Sequence, residues 1–161
     1  MPAMRKKSAS EKEAKKRAAE IEQVVFIPAP PERVYKAYLD EQEHTAMTGA
    51  AAKLDPREGG MFSAWDGYIT GTIFQLEKGR KIVQDWITTE WPEGYARSFL
   101  SLTFIPKAKG TEVHLIQEGV PAMLVKEYEN TWKEHYWKPM KKYFSALDKK
   151  GTTARIPRKT K

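Results

Sequence analysis

The sequence predicts an α+β domain in which one antiparallel sheet of six or seven strands curves over a single long C-terminal helix. Two observations carry that prediction. From Pro121 to Leu147 the residues Val125, Tyr128, Trp132, Tyr136, Met140, Tyr143 and Leu147 recur at steps of three and four, which makes one buried helical stripe. Between residues 50 and 118 the period drops to two, and turn residues interrupt it at Asp66-Gly67, Lys78-Gly79 and Lys107 to Gly110. Lys126, Glu129, Lys133, Lys141 and Lys142 lie opposite the stripe, so the helix has one wet side and one side to be covered. Antiparallel hairpins leave a sheet face free to cover it.

Each element has a local reason. Residues 8–20 offer two helix-capping pairs, Ser8 with Glu11 and Ser10 with Glu13, but only alanines as an apolar face. A helix there is expected to fray when alone. Glu22 to Ile27 is rich in β-formers and reads as the first strand, stopped by Pro28, Pro30 and Pro31. Proline suits a first helical turn, and Val34, Tyr35, Tyr38 and Leu39 give the next helix its apolar face. A second short helix, Glu41 to Thr48, ends near Gly49. Strands follow at Ala50–Leu54, Met61–Trp65, Tyr68–Glu77, Lys81–Thr89, Arg97–Ile105 and Thr111–Glu118. In the sixth strand Leu100, Leu102 and Phe104 share one parity and are expected to point inward. Pro139 removes a backbone donor late in the last helix and is expected to kink it.

Composition supports one domain with two basic ends. The 161 residues carry +7, of which residues 1–20 supply +4 and residues 148–161 supply +5, leaving residues 21–147 at −2. The basic character therefore sits in the ends, and a nucleic-acid role is expected at most weakly, through those tails. With no cysteine, disulfides, thiolate catalysis and cysteine-bound metal are excluded. Met1 to Ser10 has no apolar core and is no secretory signal, and no window approaches about eighteen apolar residues. A cytoplasmic protein without a membrane span is the expectation.

The order strand, two helices, six strands, helix, opened by Ile27 to Asp40 (IPAPPERVYKAYLD), is similar to the START-like helix-grip superfamily. Within it, the chain resembles the C-terminal domain of activator of heat-shock protein 90 ATPase. The residues that carry this are Gly59-Gly60, Phe62, Asp66-Gly67, Gly71, Ile82-Val83, Trp86 and Trp91-Pro92-Glu93-Gly94. They continue with Thr111-Glu112, Gly119, Pro121, Trp132 and Tyr136. The resemblance spans about residues 21–147. It implies the helix-grip fold and a non-enzymatic, chaperone-associated or ligand-binding module. The family's eukaryotic activators carry a separate N-terminal docking domain, which is not expected within the roughly 20 residues before the first strand. The superfamily also includes cyclases, which keeps a small-molecule enzyme under the last helix as an alternative.

The candidate site follows from strand parity. Phe62, Ile73, Gln84, Trp86, Leu100, Leu102 and Leu115 are expected on the inner sheet face, opposite Tyr128 and Trp132. They either line an apolar cavity for a hydrophobic small molecule or interdigitate as an ordinary core. Gln84 favours the cavity, since a buried amide needs a partner. Trp91, Pro92 and Glu93 at a loop tip either contact a partner such as a heat-shock protein 90 type chaperone or, through Trp91, fold back over the sheet. His44, His114 and His135 fall on three different elements without metal spacing, so neither metal nor cofactor is expected. Asp66 reads as a turn residue and Asp85 as an outward strand position. No nucleophile–base pair or phosphate-binding loop is visible, hence no catalytic residue is assigned.

Overall fold

The structure is a computed structural model and describes residues 17–147. The first strand, β1 (Ala18–Ile27), is followed by two helices, α1 (Pro31–Leu39) and α2 (Glu41–Thr48). Six strands come next: β2 (Lys53–Leu54), β3 (Met61–Ala64), β4 (Ile69–Glu77), β5 (Lys81–Thr88), β6 (Ser98–Lys107) and β7 (Gly110–Pro121). They form one antiparallel sheet in the order β1-β7-β6-β5-β4-β3-β2. A single turn, Ala122–Leu124, leads into the last helix, α3. It is α-helical over Val125–Trp132, π-helical over Lys133–Trp137 and α-helical again over 138–147.

Local chemistry sets the boundaries. In α1 a proline stands at the first turn and supplies no N–H where none is needed. The Asp40 carboxylate accepts the Glu43 N–H at 2.9 Å and caps α2. Gly49 closes α2 at φ 82°, a left-handed conformation in which a Cβ would be strained. Gly71 is required for a different reason: a Cβ there would collide with the Asp85 carbonyl oxygen and with a Phe62 ring carbon.

Three expectations change. Residues 18–20 begin β1 instead of ending a helix, because pairing Ala18 with Pro121 and Ala19 with Val120 gives them the partner that an alanine face lacks. The rest of the expected N-terminal helix, and the C-terminal tail, lie outside the described residues. The strand expected at 50–54 shrinks to two residues, since side chains capture its backbone donors. Thr48 Oγ1 accepts the Ala50 N–H, Asp66 Oδ1 that of Ala51 and Thr45 Oγ1 that of Ala52. In α3 the buried stripe is Tyr128, Trp132, Tyr136, Trp137, Met140 and Phe144, with Val125, Tyr143 and Leu147 only partly buried.

Pro139 has its effect one turn upstream. The Lys138 N–H reaches the Lys133 carbonyl, one residue beyond the α-helical partner. This widened turn makes room for a proline ring that would otherwise press on the His135 carbonyl. No described helix is both long and apolar enough to cross a membrane.

Candidate binding site under the last helix

Strand parity and the α3 stripe converge on one aromatic cluster. Trp86 of β5 stacks on Trp132 at 5.8 Å between ring centroids and meets Tyr128 edge-on at 5.2 Å. Trp132 continues into Tyr136 at 4.8 Å and Trp137 at 5.3 Å. Such offset and edge-to-face pairs each contribute about 0.5–1.5 kcal/mol beyond burial. The structure brings all nine expected inner-face residues into the interior: Ile73, Gln84, Trp86, Leu100, Leu102, Leu115, Tyr128 and Trp132 are at most 2% exposed, and Phe62 7%. Four hollows stand out on the described surface, and of the nine only Phe62 borders one.

A line of polar groups runs through this apolar space. The Trp132 indole N–H donates to Gln117 Oε1 at 2.8 Å, and the Gln117 amide donates to Ser98 Oγ at 3.0 Å. The Ser98 hydroxyl then donates to the Trp86 carbonyl at 2.6 Å. Elsewhere Thr88 and Tyr128 share a hydrogen bond at 2.6 Å, and the Tyr38 hydroxyl donates to Gln84 Oε1 at 3.2 Å. Gln117, Ser98 and Thr88, unlike Tyr38, were not anticipated from the sequence as inward residues. Their parity signals them, since Gln117 continues the inward series Val113, Leu115 and Ser98 precedes Leu100 and Leu102. Besides Trp65 Nε1, two buried donors among the described residues have no partner, Gln84 Nε2 and Trp86 Nε1. They sit two residues apart on β5, on the same inward face.

His44 is buried, at 2% exposure. Its Nδ1–H donates to the Tyr38 carbonyl at 2.8 Å, which leaves Nε2 to accept from the Tyr136 hydroxyl at 2.9 Å. Burial holds its pKa below the usual imidazole value, partly offset by the bond to Tyr38. Burial likewise raises the Tyr136 and Tyr38 phenols, so both stay neutral. His135 packs edge-on against Trp65 at 5.0 Å, and His114 meets Glu112 at 2.8 Å. Among the described residues no group of three possible ligands is placed to hold a metal.

Asp85 does alternate to the outer face, yet it is only 6% exposed. Arg97 covers it through Nε at 2.8 Å, and its other carboxylate oxygen accepts the Thr72 N–H at 2.7 Å. Arg97 is thus a structural partner that strand parity alone does not reveal.

The loop tip folds inward. Trp91 lies parallel to Tyr128 at 5.9 Å and edge-on to Trp86 at 6.3 Å, and its indole N–H donates to the Ala96 carbonyl at 3.1 Å. Pro92 is half-buried, and Glu93 and Gly94 are exposed.

A family-wide profile described as Activator of Hsp90 ATPase homolog 1-like protein matches residues 28–145. The chain belongs to this family. The human activator of 90 kDa heat shock protein ATPase homolog 1 is 32% identical over 114 residues, covering 71% of this chain and 33% of that protein. An uncharacterized protein of Schizosaccharomyces pombe is 30% identical over 126 residues, covering 78% of this chain and 37% of its own length. This chain thus spans about a third of the length of the curated relatives it matches. Among solved structures, an HSP90 activator from Plasmodium falciparum superposes with a TM-score of 0.72 at 25% identity, over 78% of this chain and 96% of that one. Ara h 8.0201, at 11% identity and a TM-score of 0.65 over 80% of this chain and 99% of its own, shares the fold alone. Both agree with the helix-grip architecture.

Proposed function

We propose that this chain is a non-enzymatic binding domain that associates with a chaperone of the heat-shock protein 90 class. The family match across residues 28–145 carries the reading. It is supported by the interior, where the buried groups His44, Tyr38 and Tyr136 are held neutral by burial and by hydrogen bonds to the Tyr38 carbonyl, to Gln84 and to one another. No side chain there is poised to move a proton on a substrate. The contact surface of this reading is the loop Trp91, Pro92, Glu93: Trp91 packs on Tyr128 and stiffens the tip, and Glu93 is exposed. The test is a pull-down and ATPase assay with the host's own chaperone, comparing the native chain with Glu93→Lys. Binding that weakens in the variant supports the reading, and neither binding nor stimulation by the native chain rejects it.

A second reading has its own observation. Gln84 Nε2 and Trp86 Nε1, two residues apart on β5, are buried donors without acceptors, and such groups call for a water or a ligand oxygen. A hydrophobic small molecule carrying one acceptor, seated among Leu100, Leu102, Leu115, Tyr128 and Trp132, would satisfy them. Native mass spectrometry of the chain as purified tests this, together with tryptophan quenching by added aromatic ketones. An unliganded mass with no quenching at millimolar probe rejects it, and an enzymatic use of the same space falls with it.

A further inference from the structure

The largest hollow among those described lies away from the aromatic cluster, in a groove of about 910 Å³ between β1 and α3. One wall is the strand segment Glu22, Gln23, Val24 and Val25. Among the described residues β1 pairs only with β7, so its other edge presents unpaired backbone N–H and C=O groups to the groove. An edge of this kind is a template for one more strand. The other wall is the wet side of α3, where Lys126, Lys133, Lys138 and Lys141 face the groove against two acids, Glu22 and Glu129. Of these lysines only Lys138 has a carboxylate within ion-pair distance among the described residues, Glu134 at 2.9 Å.

The two walls are tied at a fixed spacing. The Gln23 amide donates to the Glu129 carbonyl at 3.0 Å, and the Trp137 indole N–H donates to Gln23 Oε1 at 2.6 Å. The groove is therefore a built channel with a free strand edge on one side and excess positive charge on the other. We propose that it takes an acidic, extended peptide segment of a partner protein, added antiparallel or parallel to β1, with its carboxylates paired to the α3 lysines.

Charge decides among the occupants. The chain's own ends do not suit the lysine wall: residues 1–16 hold six Lys/Arg against two Asp/Glu, and residues 148–161 six against one. Single-stranded nucleic acid would need exposed rings on which to stack, whereas Trp137, the ring lining the groove, is 4% exposed. An anionic membrane presses on flat or convex faces, and here the charge lines a concavity. The strand segment of four residues spans roughly 13 Å, enough for four or five peptide residues.

The probe is a fluorescein-labelled peptide, Glu-Val-Glu-Val-Glu-Val-Glu, titrated with the full chain and read by anisotropy. The expected result is saturable binding with amide shifts concentrated at residues 22–25 in ¹⁵N NMR. Lys133→Glu combined with Lys141→Glu, both exposed positions, weakens it by about tenfold or more without moving the melting temperature. N-methylation of alternate peptide residues also weakens it about tenfold, which separates strand addition from charge alone. The proposal is overturned by absence of binding, by an N-methylated peptide that binds equally well, or by shifts confined elsewhere. It is equally overturned if the lysines matter only for retention on phosphatidylserine vesicles or single-stranded DNA.

Discussion

The concave face of the sheet and its outer surface handle polarity in opposite ways. Under α3 the buried polar pairs described are neutral: Trp132 with Gln117, Thr88 with Tyr128, His44 with Tyr136 and Tyr38 with Gln84. On the outer sheet face and between the two short helices the partnerships are ionic, as in Asp85 with Arg97 and Arg33 with Glu43. The difference follows from desolvation. A neutral hydrogen bond survives in a dry aromatic interior, whereas a charge there costs more than its partner returns. Recognition of charged partners is thereby left to the surface, and the two places proposed for it are the loop tip and the β1 groove.

The largest test of that contrast is Trp132→Ala, expected to lose about 3–5 kcal/mol by cavity formation and release of Gln117. A thermal or urea melt that leaves stability unchanged would break the picture of a packed grip. Arg97→Ala comes next. Asp85 keeps the Thr72 N–H but loses its cover, and Arg97 is itself half-exposed, so a loss of about 1–3 kcal/mol is expected in the same melt. His44 gives a pH signature. Its folded pKa is depressed, so above the unfolded value near 6.5 the contribution is complete, and it is lost as pH falls below that value. His44→Gln, a neutral mimic of both hydrogen bonds, should flatten the melting-temperature profile between about pH 6.5 and 5. An unchanged slope would assign the acid sensitivity to another group. The smallest effect is expected for Gln84→Met, which deletes an unpartnered donor at similar volume but leaves the Tyr38 hydroxyl unpaired. A change under about 1.5 kcal/mol sharpens the view of a dry interior, while a larger loss measured by urea titration points to a bound acceptor at that site.

Much of the fold was legible because hydrophobic period and turn chemistry agree. The α2 boundaries follow from Asp40 and Gly49, and the inward parity of Leu100, Leu102 and Phe104 follows from alternation. The candidate site was legible as a set of inward residues. Its polar line was not, because Gln117 and Ser98 acquire meaning only when β6, β7 and α3 are brought together. The shortened β2 was equally invisible, since its backbone donors are taken by Thr45, Thr48 and Asp66 from other segments. The role of Arg97 beside Asp85 likewise depends on a pairing across twelve residues of sequence.

The π-helical turn at Lys133–Trp137 bears on how tolerant this domain is to change in length. Tyr128, Trp132, Tyr136, Met140 and Phe144 repeat every four residues and are all buried, yet an α-helix advances about 40° beyond a full circle in four residues. Left uncorrected, that drift would carry Phe144 roughly to the far side of the helix. The extra residue in the widened turn winds the stripe back toward the sheet. Removing one of the exposed residues Lys133 or Glu134 would therefore restore regular hydrogen bonding and keep Met140 and Phe144 on the buried side, whereas removing one residue from 138–143 would turn Phe144 away by about 100°. The widened turn is thus the place where this helix absorbs a change of length, and the regular turns after it are not.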